Sequence, residues 1–182
     1  MKVVVPYVNN ARNHLWPETM EATHAYSVDP EFVNVHKQCG QEKCDGITCI
    51  SSSEYCDLFM RLWEQQESFV VIEHDIVIEE STISKLENCP RPWCGYTYSN
   101  AGGDNFAFLG CTYFEARIMK RYPHAIEEAS QLRTDSNIEP GHWVRLDSCI
   151  SRTLAKYRYR IHEHNPPLLH MNPRQQHPKD TQ

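Results

Sequence analysis

Hydrophobic positions along this chain follow two periods, and the switches between them mark the elements. Residues 2–8, KVVVPYV, are apolar and β-branched as far as two asparagines at 9 and 10. They predict a first buried strand that runs into a loop. The following stretch shows no sustained period apart from strand character at 32–35. At Tyr55 the spacing becomes helical: Tyr55, Leu58, Phe59 and Leu62 share one face, and Ser51-x-x-Glu54 before them has the form of a capping box. The pattern predicts a helix over 53–66. That helix leads straight into the apolar run 69–73, which reads as a core strand. A helix feeding directly into a strand predicts a single-domain α/β fold, with a mixed, mostly parallel sheet flanked by helices.

Downstream, 81–88 reads as a short helix, and 93–98 and 105–109 as strands around a turn holding Gly102 and Gly103. Thr112-x-x-Glu115 has the form of a second capping box and predicts a helix ending at Pro123. Residues 124–132 are helical in pattern. Leu146, Ile150 and Leu154 sit four apart and predict a helix over 146–156. The segment 157–164, YRYRIHEH, alternates strictly and predicts a half-buried strand. Beyond Asn165, proline, histidine and polar residues dominate. The expected organisation is one domain over 1–172 and a flexible tail over 173–182.

With 182 residues the chain can bury one sizeable core. A formal net charge of -6 gives no general attraction to nucleic acid or anionic membrane. No apolar run has the length of a membrane span, and the N-terminus reads as a strand rather than a signal peptide, so a cytoplasmic location is expected. Among the eight cysteines, Cys39, Cys44, Cys49 and Cys56 cluster after His36. They lack paired CxxC knuckles and read as free, partly buried thiols. A zinc module on these four and His36 is a competing expectation.

The chemistry centres on 69–78, FVVIEHDIVI, where a core strand ends in two carboxylates, Glu73 and Asp75. Unpaired anions at a buried strand end are costly, and a hard divalent cation with oxygen ligands is the simplest compensation. Ligands of open α/β sheets gather at the carboxyl ends of strands. The plain alternative is a solvated or salt-bridged strand end. Asp147 falls in the first turn of the predicted helix 146–156, where the helix dipole alone favours an acid. Its functional reading is a general base, with His142 and Trp143 before it as contacts for an acceptor. His162, His164 and His170 crowd IHEHNPPLLH, and an imidazole after the last strand could complete a site begun by Asp75. No phosphate-loop, dinucleotide, GxSxG, HExxH or kinase motif is present.

In order, these pieces resemble a small glycosyltransferase of the A-type nucleotide-sugar fold, over about residues 1–170. VVVPY (3–7) resembles the first strand, whose end meets the nucleotide. FVVIEHD (69–75) resembles the strand leading to the DxD motif, with Glu73 in place of the first Asp. NFAFLGCTYF (105–114) resembles the segment lining the donor-sugar pocket, WVRLD (143–147) the region supplying the base, and HNPPLLH (164–170) the late metal-binding histidine. The resemblance implies a hexosyltransferase that uses Mn2+ or Mg2+ and a nucleotide-diphospho-sugar donor. It implies metal ligation by Asp75 with His170 or His164, donor contacts from Pro6, Tyr7, Arg12, Glu73, His74 and Gly110, acceptor contacts from His142 and Trp143, and an inverting base at Asp147. Compact transferases of this type occur in phage and bacteria. The acceptor could accordingly be a small molecule, a glycan or a hydroxymethylated DNA base, and a phage enzyme would work in its host's cytoplasm. A second expectation is a metal-dependent nucleotidyl or phosphoryl transferase with Glu79 and Glu80 as further acids.

Overall fold

The computed structural model describes residues 1–8, 14–35, 52–99, 105–106, 109–132 and 143–171. In chain order its elements are β1 (Lys2–Tyr7), α1 (Pro17–Tyr26), β2 (Glu31–Asn34), α2 (Ser52–Glu64), β3 (Phe69–Ile72), β4 (Ile76–Val77) and α3 (Thr82–Glu87). They continue with β5 (Trp93–Ser99), β6 (Asn105–Phe106), β7 (Cys111–Phe114), α4 (Ala116–Arg121), α5 (Ala125–Ser130), α6 (Trp143–Lys156) and β8 (His162–His170).

The strands form a mixed sheet in the order β2-β1-β3-β7-β5-β8-β4, with β6 added to β5. β1 pairs in parallel with β2 and β3, and β5 in parallel with β8; β7 runs antiparallel between β3 and β5. Strands β1, β2, β3, β5 and β8 therefore point one way, and their carboxyl ends share one edge. The expected mixed sheet flanked by helices is what forms, with three parallel and four antiparallel pairings among the described strands.

β1 and β3 read as unbroken apolar runs because both of their faces are covered. Side-chain alternation divides each strand between two cores. Val4, Phe69, Val71, Trp93 and Phe114 face α2, α4, α5 and α6. Val3, Val5, Val70, Ile72, Cys94 and Tyr96 face the other way, toward α1 and α3. Phe114 anchors the first core, with its ring against those of Phe59, Trp63, Phe69 and Trp93. The Trp63 indole N–H donates to the Tyr122 carbonyl at 2.8 Å, which fixes α2 to the turn after α4.

Three elements differ from the sequence pattern. Thr112 does not cap a helix: CTYF is a wholly buried strand paired on both sides, and the helix begins only at Ala116. The strand expected over 157–164 starts at His162 instead, because residues 157–159 end α6. The Tyr159 N–H bonds back to the Leu154 carbonyl, and Arg158 takes a left-handed φ of 66°. β8 then runs through Pro166 and Pro167 to His170, with a register shift opposite them between Tyr96 and Tyr98. Helix α1 was not anticipated; it opens on Pro17 and buries Thr19 and Thr23, so it has no apolar stripe to read. Among the described residues no helix is long and apolar enough to cross a membrane. Ser51, Gly102, Gly103, His36, Cys39, Cys44, Cys49 and the tail at 173–182 lie outside the described residues.

Candidate functional site

The shared edge of the parallel strands collects the titratable residues. β3 ends at Ile72, and Glu73, His74 and Asp75 form a tight turn closed by the Ile76 N–H on the Glu73 carbonyl at 3.1 Å. Three backbone bonds hold that turn. The Glu73 N–H donates to the Gly110 carbonyl (2.8 Å), the Trp16 N–H to the His74 carbonyl (3.0 Å), and the Met171 N–H to the Asp75 carbonyl (2.7 Å). The last bond, with the antiparallel pair Ile76 and His170, brings the end of β8 against the turn. As a result His170 Nε2 lies 3.0 Å from Asp75 Oδ2, and His74 Nε2 lies 3.8 Å from the same oxygen. The side chains of Asp75 and His170 are 15% and 19% exposed, enough to admit a ligand from one side only.

The other carboxylate oxygen, Asp75 Oδ1, is buried with no hydrogen-bond partner. An orphaned anionic oxygen is rare in folded proteins and goes with strain, a catalytic role, or a bound water or ion. Around it the charges are unbalanced. Glu73 is pushed up to about 8, first by burial, then by the negative charges of Asp75 and Asp147; a hydrogen bond from the Tyr55 hydroxyl at 3.2 Å only partly offsets this. Burial also raises Asp75, but the hydrogen bond from His170 and the charges of His74 and His170 outweigh it and hold that carboxyl below its usual range. The two acids of the turn are thus driven in opposite directions. Burial raises Asp147, against hydrogen bonds from Ser148, and lowers His74, against the pull of Asp75. The donor set fits a divalent cation: a carboxylate with an unused oxygen, an imidazole beside it, and a second carboxylate within reach of its field.

The remaining predicted residues fall as follows. Two positions beyond the Val4–Val71 pair, Pro6 is level with Glu73, and Tyr7 ends β1 beside it. Gly110 lies under the Tyr98 ring: a Cβ there would stand 2.3 Å from Tyr98 Cε1. Asp147 sits in the second turn of α6 rather than the first, because the helix starts at Trp143, so the dipole account of this acid does not hold. His164 stacks on Tyr96 and lies beside His162, six residues before His170, up to about 20 Å away along a strand. It is not brought to Asp75. Arg12 and His142 lie outside the described residues.

Two site residues gave no sequence signal. Tyr55 reads only as a helix-face residue and Tyr98 only as strand, yet Tyr55 bonds Glu73 and the Tyr98 ring meets His170 edge-on at 5.4 Å. A cleft of about 1090 Å³ lined by Lys2, Glu31, Ser68, Tyr113 and Lys120 lies at the opposite, amino ends of β1 and β3. Its lining includes the acids Asp29, Glu31, Glu67 and Glu87 but no histidine, and Glu31 is paired with Lys2.

No family model matches the chain, and no curated protein matches its sequence. Among solved structures it is similar to a protein described as a glucose-1-phosphate thymidylyltransferase from Bacillus anthracis, in complex with a sucrose. The TM-score is 0.51 at 9% identity, over 91% of this chain and 87% of that one. The fold is that of the A-type nucleotide-sugar transferases. At this identity the likeness speaks for the fold alone. The chain also has a weaker likeness in shape to a glycosyltransferase involved in the glycosylation of the major capsid of PBCV-1 (TM-score 0.49, 10% identity, 91% and 81% coverage) and to A197 from STIV (0.48, 10%, 91% and 82%).

Proposed function

We propose that this chain is a divalent-metal-dependent glycosyltransferase that moves a sugar from a nucleotide-diphosphate donor to an acceptor hydroxyl. The observation that carries the reading is the buried, unpartnered Oδ1 of Asp75 beside His170, at the carboxyl edge of the parallel strands. Asp75 and His170 would hold the cation, Mn2+ better than Mg2+ because imidazole is among the donors. When bound, the ion offsets charge on the leaving diphosphate. Tyr98 and the Met171 backbone keep His170 facing Asp75. Pro6 and Tyr7 flank the turn where the nucleotide would lie. Asp147, raised by burial, is suited to take the acceptor's proton, because a base gains strength as its pKa approaches the working pH. A carboxylate in line with the anomeric carbon gives inversion. The acceptor is a hydroxyl of a small molecule, a glycan or a modified DNA base.

Thermal-shift titration with a panel of nucleotide sugars, with and without Mn2+, tests this reading. A donor that raises the melting temperature only with metal supports it, and Asp75→Asn should remove that dependence with the fold intact. Equal shifts with and without metal for every donor would overturn it.

The second reading, nucleotidyl transfer, is favoured by the fold of the thymidylyltransferase-like neighbour. It needs more acids at the metal, whereas Glu79 and Glu80 are exposed in the turn before α3. Turnover of nucleoside triphosphates in place of sugar nucleotides would select it.

A further inference from the structure

At the other end of β8, three side chains converge that the transferase reading does not use. His162 and His164 point to one side of the strand, two residues apart, and the parallel pairing sets them opposite Cys94 and Tyr96 of β5. Cys89, in the turn that leaves α3, comes over the same place, with its N–H on the Leu86 carbonyl at 3.2 Å. The Cys89 sulfur and one nitrogen of each imidazole all lie within 4.8 Å of one another.

We infer that Cys89, His162 and His164 form a second metal site that takes zinc. A thiolate and two imidazoles are a borderline-soft donor set, suited to Zn2+ and poorly suited to Mg2+ or Mn2+. Three protein ligands leave a fourth tetrahedral position for water.

The surroundings hold the ligands in place. The His164 ring is stacked on Tyr96 at 5.2 Å, and its Nε2 is buried without a hydrogen-bond partner. The His162 ring meets it edge-on at 5.1 Å. Behind Cys89, the Leu86 carbonyl that accepts the Cys89 N–H at 3.2 Å also accepts the Cys94 thiol at 3.8 Å, which ties the turn to β5. Metal ligands are commonly braced in this way from behind. The metal would pin the α3–β5 turn to β8, the strand whose far end carries His170.

The full chain is tested with Cys39→Ser, Cys44→Ser and Cys49→Ser together, so that those thiols cannot account for the signal. After chelation and dialysis, Co2+ is added and then displaced by Zn2+. The expected result is one equivalent of cobalt with a thiolate charge-transfer band, abolished by Cys89→Ser and by the exposed-site change His162→Asn. Independently, stoichiometric zinc should slow alkylation of Cys89 in the unaltered chain roughly tenfold or more, read peptide by peptide, and His162→Asn should remove that protection. No band in the triple variant, or a band that survives Cys89→Ser, overturns the inference. Unprotected Cys89 in the unaltered chain overturns it as well. Sugar-nucleotide binding at Asp75 is read separately and decides nothing here.

Discussion

Replacing Gly110 by alanine should injure the protein out of proportion to one methyl group. The new Cβ would stand 2.3, 2.8 and 2.9 Å from three atoms of the Tyr98 ring, where carbon atoms settle at about 3.5–4.0 Å. The ring edge must therefore retreat by about 1 Å or more. It has little room: Tyr98 is 7% exposed and its ring meets His170. The backbone at Gly110 cannot yield easily either, because its carbonyl accepts the Glu73 N–H at 2.8 Å. Overpacking of this kind costs about 1–3 kcal/mol. For a chain of this length each kcal/mol corresponds to about 2–4 °C, so a central value near 2 kcal/mol predicts a melting temperature about 4–8 °C lower. Calorimetry on the metal-free protein measures it. Tyr98→Leu removes the clashing ring, so the double variant should lose less than the two single changes summed, by about the size of the clash. An unchanged melting temperature for Gly110→Ala, or additivity within about 0.5 kcal/mol, would refute the reasoning.

Other outcomes follow from the same geometry. Phe114→Ala empties the centre of the larger core, where the ring is fully buried against four aromatic neighbours, and should cost about 3–5 kcal/mol in urea unfolding with an unchanged slope. Asp147→Asn should lower kcat while leaving nucleotide-sugar affinity near its original value; normal turnover would remove Asp147 from the base role. Burial pushes the Cys56 thiol up to about 11, so at pH 8 only about one molecule in a thousand carries the thiolate there. The metal-free native protein should accordingly alkylate Cys56 far more slowly than the half-buried Cys89, and the difference should vanish in denaturant.

Sequence legibility followed the locality of the deciding interaction. The strands at 2–7 and 69–72 were readable because burial on both faces leaves no polar position from Val3 to Pro6 or from Phe69 to Ile72. The helix carrying Tyr55 through Trp63 was readable because one face alone is buried. Residues 111–114 were misleading for the opposite reason. Thr112 and Glu115 are spaced as a helix start, but strand pairing with β3 on one side and β5 on the other outweighs a cap worth about 1 kcal/mol. YRYR at 157–160 alternates as a strand would, yet its first three residues are taken up in closing α6. At the site, Glu73 and Asp75 were visible as acids following an apolar run, and His170 as one of three late histidines. Choosing among the three required the pairing of β4 with β8.

The same pairing sets the acids of the turn beside imidazoles. Asp75 and Asp147 both act on Glu73 through a partly buried space, and among the described residues the cations acting on Glu73 and Asp75 are imidazoles. Imidazole neutralises an acid only while it is itself protonated, and burial disfavours that form at His74. The turn resolves the conflict unevenly, with Glu73 driven toward its neutral form and Asp75 left anionic with one oxygen unused. A site meant only to close the end of a strand would be more stable with an apolar residue at 73 or an arginine opposite 75, since like charges gathered in a low-dielectric space oppose folding. Keeping three carboxylates and a histidine there makes sense if they are arranged for a positive charge that arrives with the substrate.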